Sequence, residues 1–535
     1  LKAGKPDPEL DINNSAFYLN DRTKPWIASA PRRSGISAFG FGGSNFHAVL
    51  EEYTGNKAHT SWDGSTQIIA FSADSETGLS KEIAAFRKGL EVAHDEIEKR
   101  QVTAYLADKS RNQFKHEDPY RLLMVHLTEG DIETDLDAAA DAVKETAGTT
   151  IKADRIYFEK GQAKGQIGFL YPGQGSQYTG MGTDLAAIFP EALDAFSLSC
   201  GIYDSQARTS ENELNLEEAV FPLPGHVRPK TESEELLRQT NIAQPAIGAV
   251  SLAMTRVLKR FGITPGITCG HSFGELAALN AAGWMDDSTL IELAVSRGKH
   301  MAVAGRVDGD PGSMLAVRAP LKDIETLIED ENLDLVLANK NAETQGVLSG
   351  ATDEILKAKK ACRKHKMRAV QLPVAAAFHS RLVRDAAVPF AADLESKTIV
   401  PAQAEVLSNT TGGFYPRQTD EVKQILGNQL ANPVEFIENV TAMHDKGISA
   451  FIEVGPKTVL TGLVKSILKD RDASCIAVDA SAGKKPGILD LARLICQVAA
   501  LGFKVDLTQW EDKGSMPEPK KMRIPLSGAN PKPQN

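Results

Sequence analysis

Between positions 270 and 274 the chain reads Gly-His-Ser-Phe-Gly, which fits G-x-S-x-G. Small residues two positions either side of a serine let a strand turn sharply into a helix, lifting the serine oxygen clear of the backbone. Ser272 is therefore the candidate nucleophile. A hydroxyl is a poor nucleophile until a base takes its proton, so the chain must supply one. Of the eleven histidines, His271 adjoins the serine. Consecutive residues at such an elbow point in different directions, so His271 is expected to brace the turn. His379 is the stronger candidate, because "VAAAFHSRLV" places it at a strand end among small residues that leave room for a substrate. A hydrolase of α/β type would add an Asp or Glu to orient the imidazole, in the order Ser, acid, His. Between 272 and 379 the acids fall mainly in amphipathic helices, where they read as solvated surface charge. No third triad member stands out, and the elbow alone leaves hydrolysis and group transfer both open.

The elements that must hold these residues follow from periodicity. "QIGFLYPGQGSQYTGMG" opens a domain at 166 with a buried strand and a glycine-rich loop, and strands alternate with helices up to 308. With the elbow, that alternation predicts an α/β-hydrolase-like core. Residues 309–373 change pattern. "SMLAVRA", "LDLVLANKN", "QGVLSG" and "MRAVQLPV" read as strands, and "LKDIETLIED" and "TDEILKAKKACRKH" as helices. The order βαββαβ is the ferredoxin-like unit, inserted between Ser272 and His379. The core resumes over 374–512, and 513–535 reads as a Pro- and Lys-rich linker. Ahead of the core, 54–165 reads as a small α/β linker module of strand, helix, strand, helix, strand, with one helix through "GLSKEIAAFRKGLEVAHDEIEKR". Residues 1–53 end in a strand leaving the turn Gly40–Gly43; Asn45 stands where a third glycine of G-x-G-x-x-G belongs, so a structural turn is expected rather than a phosphate loop. The fold class is thus α/β throughout.

Bulk properties exclude several functions. At 535 residues the chain is too long for one core. A net charge of −10 argues against nucleic acid, and no apolar run approaches the roughly 18–20 residues that span a bilayer. The five cysteines are scattered without a C-x-x-C pair, which suggests a reducing, cytoplasmic setting and no metal site. The chain starts with Leu rather than Met and reads as a piece of something larger.

Six segments, "FLYPGQGSQYTGMG", "QTNIAQPAIGAV", "GHSFGELAAL", "AVSRGKHM", "AAFHS" and "NQLANPVEF", stand in the order and spacing of malonyl-CoA:acyl carrier protein acyltransferases. The resemblance covers roughly 166–480. In addition, "PRRSGISAFGFGGSNFHAVLEEY" resembles the C-terminal tail of a ketosynthase, and 54–160 the ketosynthase–acyltransferase linker of multidomain synthases. "NNSAFYLNDRTKPW" is most similar to polyunsaturated fatty-acid synthases or related iterative polyketide synthases.

That resemblance implies a Ser–His dyad working by a ping-pong route. Ser272 would take malonyl from coenzyme A and pass it to the phosphopantetheine thiol of an acyl carrier protein, with His379 as base and then acid. No bound cofactor is implied. The backbone carbonyl of Gln429 would orient His379, removing the need for an acid. The N–H groups of Gln174 and Phe273 would form the oxyanion hole, and Arg297 would bind the malonyl carboxylate in a bidentate pair. Before the histidine, malonyl users commonly read His-Ala-Phe-His and methylmalonyl users Tyr-Ala-Ser-His; here the chain reads Ala376-Ala377-Phe378-His379. Phe378 agrees with malonyl, and Ala376 departs from both. The expected partners are the carrier protein and the rest of the parent synthase, including its ketosynthase. A monomer is expected, because most of the domain that usually supplies the dimer contact is missing. The rival readings are a serine hydrolase of thioesterase type and a silent scaffold that only docks a carrier.

Overall fold

The apolar run Gln166–Tyr171 forms an inner strand of a six-stranded sheet. Its neighbours, in order across the sheet, are Gly413–Phe414, Glu405–Ser408 and Ile267–Gly270 on one side, and Ile448–Glu453 and Ser474–Ala477 on the other. All but the short Gly413–Phe414 pairing run parallel. Parallel strands are covered on both faces, which is why "GFLY" and "AFI" carry unbroken apolar runs. This is a computed structural model that describes residues 7–511, apart from 16, 29, 54–59, 145–149, 153–154, 209–213, 225–226, 305–309, 375 and 403. The linker expected at 513–535 lies outside the described residues.

Chain order across this sheet reverses beside Gln166–Tyr171, and in open α/β sheets ligands bind outside the carboxyl ends of the strands at such a reversal. Register does the positioning. Tyr171 pairs with Gly270, and both Leu170 and Leu407 pair with Cys269. The loops that follow these three strands, beginning at Pro172, His271 and Asn409, therefore leave the sheet side by side.

The inserted unit has the expected elements. Its four antiparallel strands lie in the order Leu335–Ala342, Gln345–Gly350, Ser313–Arg318, Arg368–Gln371, with helices Leu321–Asp330 and Thr352–Lys364. Leu315, Val317 and Leu348 pack on those helices through Ile324, Leu327 and Ile355. Alternation leaves Met314, Ala316 and Arg318 on the opposite face.

Two compact units divide the chain. One holds Leu1–Asp63 and Ala163–Leu494; the other holds Gly64–Gln162 and the chain from Ile495 on. In the first, Arg33–Phe39 and Asn45–Glu51 form a hairpin across the glycine turn, with every strand residue exposed. In the second, strands Thr66–Ala73, Tyr120–Leu127, Ile156–Lys160 and Thr150–Lys152 form an antiparallel sheet. Two readings of this unit are corrected. The single helix expected near 78–100 is two, Glu76–Leu90 and Glu96–Gln113, because Asp95 caps a new start by accepting from the Glu98 N–H at 2.8 Å. Residues 495–511, expected in the core, pack in this unit. The Arg121 guanidinium donates to the Ala500 carbonyl at 2.9 Å, and the buried Trp510 indole donates to the Thr66 carbonyl at 3.2 Å.

Candidate active site

Ser272 sits one residue beyond the strand Ile267–Gly270, after His271, with φ at +52° in the left-handed region. A non-glycine residue there costs about 1–3 kcal/mol and persists only where its surroundings hold it. Three hydrogen bonds do so. Its N–H donates to Asn409 Oδ1 at 2.6 Å, and its carbonyl accepts from Gln429 Nε2 at 2.7 Å and from the Glu275 N–H at 3.1 Å. The flanking glycines are sterically required. A Cβ on Gly274 would overlap the Tyr171 carbonyl, and one on Gly270 would overlap the Gly274–Glu275 peptide.

His379 is 2% exposed and places Nε2 2.8 Å from Ser272 Oγ. Its Nδ1 lies 3.1 Å from the Gln429 carbonyl and 3.0 Å from that of Asn432. Carbonyl oxygens only accept, so Nδ1 carries the proton and Nε2 is left to receive the serine hydroxyl proton. Burial, followed by the charge of Arg297, lowers this imidazole to about 3, against the weaker pull of the two carbonyls. It is a neutral base at physiological pH. His271 turns elsewhere: its Nε2 lies 2.7 Å from Asn341 Oδ1, and its ring meets the edge of Phe436.

Arg297, on the helix Asp287–Ala304, is 1% exposed. Its Nη2 donates to Gln429 Oε1 at 2.9 Å and reaches Ser272 Oγ at 3.5 Å. Burial pulls the guanidinium down to about 9, with Glu275 opposing, so it stays charged at neutral pH. Glu275 is fully buried, and burial pushes it up to about 7 against hydrogen bonds from Tyr415, Gln429 and the Asn409 N–H. This buried acid beside the elbow therefore bonds these three groups, while His379 rests on two carbonyls.

The glycine loop after Tyr171 lies against the elbow. A Cβ on Gly173 would come within 2.5 Å of the His271 carbonyl and 3.5 Å of the Phe273 nitrogen. The side chain of Gln174 donates to Thr240 Oγ1 at 3.2 Å, and the backbone N–H groups of Gln174 and Phe273 donate to no protein group among the described residues. A cleft of about 550 Å³ opens over these atoms, lined by Gln174, Ser272 and His379 below and by Met314, Ala316 and Val347 of the small sheet above. Phe378 lines it. Ala376 is buried outside it, so the structure brings seven of the eight expected residues to the cleft or its base and leaves that one away. Sequence reasoning missed Asn409, Asn432 and Glu275. Glu275 stood within the "GHSFGELAAL" segment and Asn432 within "NQLANPVEF"; Asn409 carried no signal apart from its place in the fold.

The chemistry this arrangement suits is covalent catalysis, since it joins a hydroxyl, a neutral imidazole on it, two N–H groups without a protein acceptor among the described residues and a buried cation. A family model for the acyl transferase domain matches residues 168–495. The chain belongs to this acyltransferase family. The acyltransferase also matches a ketoacyl-synthetase C-terminal extension over residues 6–118. A polyunsaturated fatty acid synthase subunit from Thraustochytrium sp. is 30% identical over 96% of this chain, which spans 18% of that relative's length. The malonyl CoA-acyl carrier protein transacylase of Bacillus subtilis is 34% identical, covering 58% of this chain and 93% of its own. A solved complex of a type II polyketide-synthase acyl-carrier protein with its malonyl-transacylase superposes with a TM-score of 0.53 at 30% identity, over 61% of this chain and 99% of that one. Among the described residues, no helix of this acyltransferase is long and apolar enough to cross a membrane.

Proposed function

We propose that this acyltransferase moves a malonyl group from coenzyme A to the phosphopantetheine thiol of an acyl carrier protein, through an ester on Ser272. The observation that carries the reading is the pair of contacts on Ser272 Oγ, His379 Nε2 at 2.8 Å and Arg297 Nη2 at 3.5 Å. A base and a fixed cation thus meet at one hydroxyl. The relatives named as malonyl transacylases support the substrate, and the solved complex supports the carrier partner.

In the first half-reaction His379 Nε2 takes the hydroxyl proton as Oγ attacks the thioester carbonyl. The Gln174 and Phe273 N–H groups hold the oxyanion; such a donor contributes about 3–4 kcal/mol. Collapse expels the coenzyme A thiolate, which takes the proton from the imidazolium. In the second half-reaction His379 deprotonates the carrier's thiol, the thiolate attacks the ester, and Ser272 leaves with the proton. Arg297 receives the free malonyl carboxylate, giving selection among acyl groups. The Phe378 ring crowds a methyl at C2, worth about 1–3 kcal/mol against methylmalonyl. The match over 6–118 supports reading 1–53 as a ketosynthase tail and 54–165 as a linker, and the similarity to a polyunsaturated fatty acid synthase subunit supports a parent synthase making polyunsaturated fatty acids or polyketides.

A thioesterase would need an acid on His379, and the two carbonyls occupy that place. Incubation with radiolabelled malonyl-CoA should label the wild type and leave Ser272→Ala unlabelled; label surviving in the variant would remove Ser272 as nucleophile.

A further inference from the structure

The loop from Pro172 to Tyr178 has an inner and an outer side. Its inner side meets the elbow at Gly173. Its outer side rests on Lys457, which follows the central strand Ile448–Glu453 by a short turn. Lys457 Nζ donates to the Gly175 carbonyl at 3.1 Å and to the Gln177 carbonyl at 3.0 Å. Those two carbonyls bracket Ser176, whose Oγ donates back to the Gly173 carbonyl at 2.8 Å. That carbonyl belongs to the same peptide unit as the Gln174 N–H. A continuous set of contacts thus runs from the ammonium to the back of that peptide.

Lys457 is itself held against backbone preference. Its φ is +68°, a region that favours glycine. Its N–H donates to Asp479 Oδ2 at 2.8 Å, and the Tyr178 hydroxyl donates to the same oxygen at 2.8 Å. Asp479 Oδ1 accepts from the Gly483 N–H at 3.2 Å. One buried carboxylate therefore joins the lysine's backbone to the far end of the loop, while the ammonium grips its middle with charge-assisted bonds, which are about twice as strong as neutral ones. A loop of glycines has little of its own to fix the direction of an N–H, and a cation bonded to its outward carbonyls supplies that direction.

We infer that Lys457 is a positioning residue for the oxyanion-binding loop, holding Gly175 and Gln177 from outside so that the Gln174 N–H stays aimed at the reacting carbonyl. The inference rests on the proposed reading of Gln174 as an oxyanion donor. It gives the lysine a part in the transition state without contact to substrate.

Lys457→Gly separates function from folding, since glycine relieves the left-handed backbone while removing the ammonium; Lys457→Met keeps the stem and loses only the charge. In the full chain, release of coenzyme A on acylation of Ser272 gives the rate constant and KM. Both variants should lower the acylation rate constant by about tenfold, a fraction of the 10²–10³ lost when a donor is removed altogether. KM for malonyl-CoA should hold, Lys457→Arg should keep most of the rate, and Lys457→Gly should melt no lower than wild type. Wild-type rate constants in Lys457→Gly and Lys457→Met would overturn the inference, as would a change confined to KM or a rate loss matched by a lower Tm in Lys457→Gly. Label from malonyl-CoA that persists in Ser272→Ala would instead bring down the underlying reading of the site, so the two failures are distinguishable.

Discussion

Arg297→Ala should reduce malonyl transfer by at least about 30-fold in kcat/KM and leave acetyl transfer unchanged or faster. Truncating one partner of a buried, hydrogen-bonded charge pair costs about 2–5 kcal/mol, which is roughly 30-fold to several thousand-fold. The lower figure applies if water fills the space, the higher if the malonyl carboxylate is left dry. Arg297 is almost wholly buried, and its guanidinium bonds Gln429 Oε1 and Ser272 Oγ at the site. The variant also loses the positive charge that favours ionised Glu275, so that acid moves further towards its neutral form. Acetyl carries no charge, so for it the substitution removes only a buried cation. Competition kinetics with malonyl- and acetyl-CoA check this, and unchanged malonyl kinetics would take Arg297 out of the site.

His379→Ala should slow acylation of Ser272 by about 10²–10⁴-fold, the range for a positioned base. The wild-type pH profile carries the second half of this prediction. The imidazole is lowered to about 3, chiefly by burial. A depressed value keeps the proton-accepting form in place well below the usual histidine range, so the rate should not fall as pH drops through about 6.5. Glu275, raised to about 7 by burial, titrates nearby. A limb near neutrality that Glu275→Gln abolishes belongs to that acid. One that survives Glu275→Gln would mean that His379 is an ordinary, solvated histidine. The same depression has a consequence for stability. The unfolded chain binds the histidine proton first, so the stability contributed by burying this ring is present above about pH 6.5 and is lost as pH falls towards the folded value.

The sequence carried the architecture because each element announces itself locally. Leu321–Asp330 and Thr352–Lys364 repeat apolar residues at helical spacing, Gln345–Gly350 is a buried run bounded by turns, and Gly270–Gly274 has a steric signature that the Tyr171 carbonyl explains. Ser272, His379 and Arg297 were legible through their segments. What stayed hidden depends on register and distant packing. Asn409 reaches the elbow only because Leu407 lies opposite Cys269 across two parallel strands. Asn432 shares the "NQLANPVEF" segment with Gln429, but it acts through its backbone carbonyl, so its residue type did not single it out beside Gln429. Ala376 looked like part of the specificity segment because it is three residues from His379, yet the chain turns there, with the Phe378 N–H on the Ala376 carbonyl, and leaves it outside the cleft. The break at Asp95 follows from one capping bond in a stretch whose composition is helical throughout.

Acyl transfer requires a malonyl ester that waits for a thiol rather than for water. Loading the full chain with malonyl-CoA, removing excess substrate and following the intact mass in buffer, then with added pantetheinylated carrier protein, measures that directly. The adduct should persist in buffer and move intact to the carrier when it is supplied. Loss to water as fast as loss to the carrier, with free malonate as the product, would contradict transfer as the role of this site.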